Sequence, residues 1–161
     1  MDIREVMRAG FVTRWHSNPD MAWTGQTNAE HSYGVAVLAI GLFPDDVELL
    51  RAAILHDAPE SGVGDMSGKS KRDNPDLKAA YAAVEARRCE ELGISWESSQ
   101  RLKLCDQLEA YLYIAHRNPR LLKTDDWPRV RKSIWDNAVW YGVELQVLAL
   151  LEAAEGVDTG T

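Results

Sequence analysis

Every sustained apolar repeat in this chain is spaced for a helix and none for a strand, which confines the fold to a packing of helices. The spacing predicts a short helix over 2–9 ended by Gly10. A loop follows through Thr13-Arg14-Trp15-His16-Ser17-Asn18-Pro19, since Pro19 and Gly25 deny a longer helix. Asn28 is placed to cap the next helix, in which His31, Val35, Leu38 and Leu42 recur on one face, so His31 should point inward. Gly34 and Gly41 cost helix propensity there, and close approach of another backbone is the expected compensation.

Pro44-Asp45-Asp46 starts a third helix, with Leu49, Ala53 and His56 on a shared face. It breaks after His56-Asp57, because Pro59 removes a donor and Gly62 and Gly64 follow; 58–65 reads as a loop holding Glu60 and Asp65 beside the His-Asp pair. Ser67 to Asn74 is polar and lysine-rich, and Pro75 opens a helix to about Leu92, stopped by Gly93. A long helix is expected from Trp96 to about His116, with Lys103 and Asp106 one turn apart on it. Others should run from Trp127-Pro128 to about Asp136 and over 143–155. The expectation is an all-α fold, a single helical-bundle domain over 1–155 followed by a flexible tail, 156–161.

Composition narrows the partners. The 161 residues carry a net charge of −7, which argues against a protein that wraps nucleic acid. No run approaches the roughly 18 apolar residues of a membrane span, and the N-terminus has no apolar segment of the signal-peptide kind. A cytoplasmic protein with no membrane partner is therefore expected, and Cys89 and Cys105 read as reduced core thiols. A small anionic substrate is still accommodated if a few of the cations among Lys69, Lys71, Arg72, Arg87, Arg88, Arg101 and Lys103 converge.

His31, His56, Asp57 and Asp106 supply two neutral nitrogens and two anionic oxygens. That mix suits Mn, Fe, Co, Zn or Ni better than Ca or Mg, which prefer oxygen shells. A divalent cation held by four such ligands keeps positions open and polarises a phosphoryl oxygen, as phosphate-ester hydrolysis requires. An acid at a helix C-terminus, such as Asp57, also wants a compensating positive charge. Histidine alone on an apolar face is usually a hydrogen-bonded core residue. His31 taken alone would have that reading; His16 and His116 read as residues without a site role, His16 following Trp15 within reach of a substrate and His116 favourable at a helix C-terminus. Trp96, Trp127, Trp135 and Trp140 read as core or subunit contacts, and Trp23 as a candidate wall for a base pocket.

The order Arg14-Trp15, Ala29-Glu30-His31-Ser32, His56-Asp57-Ala58-Pro59-Glu60, Gly64-Asp65, then Lys103 and Asp106 resembles the HD-domain phosphohydrolases of the 5′-deoxynucleotidase group over about residues 11–116. Within that group, Arg14-Trp15-His16 with Gln26-Thr27 and Ser32-Tyr33-Gly34-Val35-Ala36 looks most like the short phage-type dATP triphosphohydrolases. The resemblance implies an HD-domain bundle in which His31, His56, Asp57 and Asp106 bind the metal, with more than one ion per site in some members. Glu60 and Asp65 match acids that position or activate the attacking water, or that bind further metal ions in triphosphohydrolase members. Arg14, Lys71 and Lys103 match cations that hold phosphate, and Trp15 matches the aromatic beside the nucleoside. It further implies a homo-oligomer, dimer or hexamer, in the host cytoplasm if phage-encoded, acting on a small deoxynucleotide. The two branches of the group, dATP triphosphohydrolase and 5′-deoxynucleotidase on dNMPs, share these motifs, and the phage-like spacing favours dATP. A non-catalytic nucleotide-sensing protein and a cyclic-nucleotide or second-messenger phosphodiesterase are the readings from other classes.

Overall fold

The computed structural model describes residues 1–124 and 126–156; most of the expected tail, 157–161, lies outside the described residues. The chain is all-α as the periodicity requires. Among the described residues the only β-type pairing is an isolated bridge between Thr13 and Thr27. Among the described residues eight α-helices occur in the order α1 (Ile3–Ala9), α2 (Asn28–Leu42), α3 (Val47–Leu55), α4 (Gly68–Asp73), α5 (Pro75–Leu92), α6 (Gln100–Arg117), α7 (Trp127–Tyr141) and α8 (Glu144–Glu155). Tight 3₁₀ turns lie at Ala22–Thr24, Ala58–Gly62 and Pro119–Lys123. None of the described helices is long and apolar enough to cross a membrane.

The caps explain where the helices start, and several differ from expectation. Helix α2 is opened by Thr27 and Glu30 acting as a capping box: Thr27 N–H donates to Glu30 Oε2 at 2.7 Å, and Glu30 N–H to Thr27 Oγ1 at 3.3 Å. Asn28, the expected cap, is the first helical residue and spends its side chain elsewhere. Pro44 does not begin α3; Asp46 caps it by accepting from Leu49 N–H at 2.9 Å. The polar 67–74 stretch carries the short helix α4, which Ser67 opens, its Oγ accepting from Ser70 N–H at 3.1 Å. Helix α6 begins at Gln100 rather than Trp96, where Ser99 Oγ accepts from Leu102 N–H at 3.1 Å. Helix α7 runs past Asp136 to Tyr141, until Gly142 turns left-handed at φ 69°.

The residues divide into two compact units, 1–33 with 54–97 and 34–53 with 98–161. In the first, Ala9, Ala58, Leu92 and Ile94 form a small core, joined by Val6, Cys89 and Trp96. Helix α5 braces the 3₁₀ turn at Ala58–Gly62: Arg88 Nη2 donates to Ser61 Oγ at 2.9 Å, and the Tyr81 hydroxyl donates to the Gly64 carbonyl. In the second unit, α6, α7 and α8 pack together and bury Leu104, Leu108, Ile114, Ile134, Val147 and Leu151. At Gly34 the nearest neighbour is a side chain, a Cβ there standing 2.6 Å from Glu109 Cγ, while Gly41 opens on free space. Cys89 and Cys105 are both free thiols.

Candidate active site

The first unit gathers the chemistry of the sequence onto one carboxylate. Residues 12–14 pair with 26–28: the Arg14 N–H donates to the Gln26 carbonyl at 2.8 Å and the Asn28 N–H to the Val12 carbonyl at 2.9 Å. Arg14 is thereby fixed beside the start of α2, and the capping box sets His31 at the first turn, fully buried. Helix α3 ends just before His56 and Asp57, which the following 3₁₀ turn holds in place.

His31 Nε2 lies 3.6 Å from Asp57 Oδ2, and His56 Nε2 lies 3.3 Å from Asp57 Oδ1. The two rings stand 5.4 Å apart between centroids, and each offers a ring nitrogen within 4.8 Å of the other. The Arg14 guanidinium, itself buried, donates to the same Asp57 carboxylate. Two imidazole nitrogens turned on one carboxylate form a donor set suited to a divalent transition metal, so these residues fit such an ion. Asp106 and Lys103 belong to α6 of the second unit, where Asp106 is half-buried and Lys103 exposed.

Asn28 plays a part that sequence reasoning missed. Its Nδ2 donates to the Asp57 carbonyl at 3.2 Å and to Glu60 Oε2 at 3.1 Å, joining the start of α2 to both acids. No local pattern announces that, because the partners lie 29 and 32 residues away. Glu60 is buried, 4% exposed, and its carboxyl is pushed up to about 8. Burial is the largest cause, followed by the Asp57 and Asp65 charges; Arg14 and the Asn28 hydrogen bond oppose them.

Asp65 faces Trp15 rather than open solvent, its Oδ2 accepting the Trp15 N–H at 3.0 Å. Trp15 sits in the left-handed region at φ 60°, a conformation that bulky side chains rarely adopt and that costs about 1–3 kcal/mol. Its indole Nε1 donates to Gln26 Oε1 at 2.6 Å, and Arg14 stands 5.8 Å from its ring. Lys71 is only partly exposed: its Nζ lies 3.7 Å from Glu85 Oε1 and 4.3 Å above the Tyr81 ring. Burial, and then the charges of Glu60 and Glu85, raise the Tyr81 hydroxyl above its usual range, so it stays a donor.

His16 is exposed, with Nδ1 at 3.3 Å from the Thr13 carbonyl, and His116 is exposed at the end of α6. Trp23 is 65% exposed with its indole N–H on the Asp20 carbonyl, and Trp140, expected as a core or subunit contact, is 82% exposed and not core. Trp127 packs edge-on against Tyr111.

Comparison with known proteins adds to this geometry. The family model described as 5′-deoxynucleotidase YfbR-like matches residues 3–104, which takes in His31, His56, Asp57, Glu60 and Asp65 and ends two residues before Asp106. A dATP triphosphohydrolase of Salmonella phage PMBT28 is 38% identical over an alignment of 85 residues, covering 44% of this chain and 43% of the phage protein. The chain thus matches less than half the length of that relative. No solved structure matches significantly.

Proposed function

As this chain belongs to the 5′-deoxynucleotidase YfbR-like family, we propose that it is a metal-dependent phosphohydrolase of deoxynucleotides, with dATP as substrate and triphosphate as the leaving product. The reading rests on the two imidazoles at 3.6 and 3.3 Å from the two oxygens of Asp57, beside a buried guanidinium. His31, His56 and Asp57 would hold the ion, with Asp106 as the fourth ligand from α6. A divalent transition metal, when bound, supplies Lewis acidity toward a phosphoryl oxygen. The chain supplies the rest. Glu60, buried next to that carboxylate, takes or returns the proton of the attacking water, and Asp65 orients the Trp15 segment. Arg14, Lys71 and Lys103 bind phosphate oxygens, Arg14 through a planar fork and the lysines as point charges. Trp15 lies against the sugar and excludes a 2′-hydroxyl.

Residues 1–155 act in this reading as one HD domain, in the cytoplasm of its cell or phage host. The exposed apolar side chains Val37, Ile40, Val139, Trp140 and Leu145 support a homo-oligomer, which light scattering would test; a monomer at all concentrations would remove that part.

The deciding experiment incubates the purified protein with Co²⁺ or Mn²⁺ and a panel of dNTPs, dNMPs, NTPs and cyclic nucleotides, and identifies the phosphate species released. Triphosphate from dATP is expected. Inorganic phosphate from dAMP with dATP untouched would move the protein to the 5′-deoxynucleotidase branch, and inertness toward the whole panel would leave the sensing reading. Asp106→Ala is expected to lose both bound metal and hydrolysis; unchanged turnover would refute its role. Trp15→Ala should relax discrimination between dATP and ATP, and an unaltered ratio would put the selectivity elsewhere.

A further inference from the structure

Two of the groups assigned to substrate, Trp15 and Lys71, lie 56 positions apart in the chain, yet both lead back to one side chain on α5. Tyr81 is 5% exposed, and its hydroxyl donates to the Gly64 carbonyl. Gly64 adopts φ 78°, a left-handed turn that orients this carbonyl toward α5 and sends the chain on to Asp65. Asp65 in turn accepts the Trp15 N–H at 3.0 Å, where the backbone of a bulky residue is held against its preference at φ 60°. The opposite use is made of the ring: the Lys71 ammonium stands 4.3 Å from its centroid, close enough for a cation–π contact.

We propose that Tyr81 is a positioning residue that sets substrate selectivity and phosphate binding through separate parts of one side chain, the hydroxyl holding Gly64, Asp65 and Trp15 and the ring holding Lys71. The proposal rests on the deoxynucleotide reading above for what Trp15 and Lys71 do, but the physical link from Tyr81 to each stands on the contacts alone. A long lysine loses much rotamer freedom when it binds phosphate, and a ring that already confines the ammonium reduces that loss. A tryptophan in a strained backbone depends on its anchors, and the Asp65 carboxylate holds the amide of Trp15 as Gln26 holds its indole.

The two parts are separable by mutation. Tyr81→Phe removes the hydroxyl and keeps the ring; Tyr81→Leu removes both. With the full chain and Mn²⁺, Tyr81→Phe is expected to lower the dATP-over-ATP ratio of kcat/KM by about tenfold, the value of one lost hydrogen bond, while KM for dATP stays put. Tyr81→Leu should add a rise in KM of about threefold. Hydrogen exchange read at the Trp15 amide should quicken in both variants, whatever the activity. If the leucine variant does not fold, a fluorinated phenylalanine at 81, which keeps the shape and weakens the negative face of the ring, makes the same comparison with Phe. An unchanged nucleotide ratio together with unchanged Trp15 exchange in Tyr81→Phe overturns the proposal. So does an equal fall of kcat/KM on every substrate that merely tracks a lower melting temperature. Should the wild type hydrolyse none of the panel, the deoxynucleotide reading fails on its own, and the exchange rates at Trp15 decide whether Tyr81 holds it.

Discussion

The two units of this protein differ in the polar side chains they bury. In the second, α6, α7 and α8 enclose Leu104, Leu108, Ile114, Ile134, Val147 and Leu151, and Glu109 is the one buried charged residue among those described there. In the first, Arg14, Gln26, Asn28, His31 and Glu60 are all buried, alongside apolar residues that include Met21, Leu55, Tyr81 and Leu92. Apolar burial contributes stability roughly in proportion to area, whereas a buried charge or amide costs free energy unless its partners are in place. The difference teaches where to look for chemistry: the first unit keeps groups that stability alone would discard, and every one of them lies on or next to Asp57, Glu60 or Trp15.

That contrast can be broken by four measurements. The largest effect is expected for His56→Ala, which should lower hydrolysis by about a thousandfold or more, roughly 4 kcal/mol of barrier, with the far-UV circular dichroism unchanged. Near-normal turnover would mean that the ionic cluster is not the seat of activity. Leu151→Ala, in the apolar unit, should instead cost about 2–5 kcal/mol in urea unfolding, with turnover per folded molecule intact. If it abolished turnover in the folded fraction, the division of labour would be wrong. Asn28→Ala sits between these. It strips one hydrogen bond from each of Asp57 and Glu60, so about 1–3 kcal/mol of stability should go together with part of the activity; a stable but slow variant would sharpen its assignment to the site.

The smallest effect concerns Glu155. Its carboxyl is held below the usual value of 4.5, first by the hydrogen bonds from Arg131 and then by that from Tyr111, against some desolvation. A lowered folded-state value means stability that is present above about 4.5 and is lost as the pH falls through the folded-state value. Wild type should therefore exceed Glu155→Gln by about 0.5–1 kcal/mol near neutrality, since the pair is partly solvated, and the gap should close in acid. A gap that persisted in acid would show that the contribution is packing, not charge.

Helical class was legible because it depends on local spacing, and so were the inward turn of His31, an imidazole on an apolar face, and the stop of a helix that meets His-Asp and then Pro. What escaped was set by long-range partners. Thr27 and Glu30 form a capping box that the sequence displays, yet Asn28 was the more conventional cap by type, and only the pairing of 12–14 with 26–28 frees its amide to reach Asp57 and Glu60. Tyr81 and Arg88 fall one heptad apart on α5 and brace the acid-bearing turn, but on sequence they are ordinary residues of a surface helix. The left-handed backbone at Trp15 could not be read either, since nothing in a tryptophan favours it. Start points moved at α3 and α6 because Asp46 and Ser99 outcompete Pro44 and Trp96 as caps.

One contact bears on the life history of the molecule. Because the Arg14 guanidinium already stands against Asp57, the carboxylate has a counter-charge of covalent origin from the moment the chain collapses. An apoprotein is therefore expected to keep its helical spectrum and melt cooperatively in excess chelator, and loss of the fold on chelation would show that the ion is needed. Arg14→Gln would make folding and ion binding interdependent, its melting temperature climbing with added Mn²⁺ by more than that of the wild type.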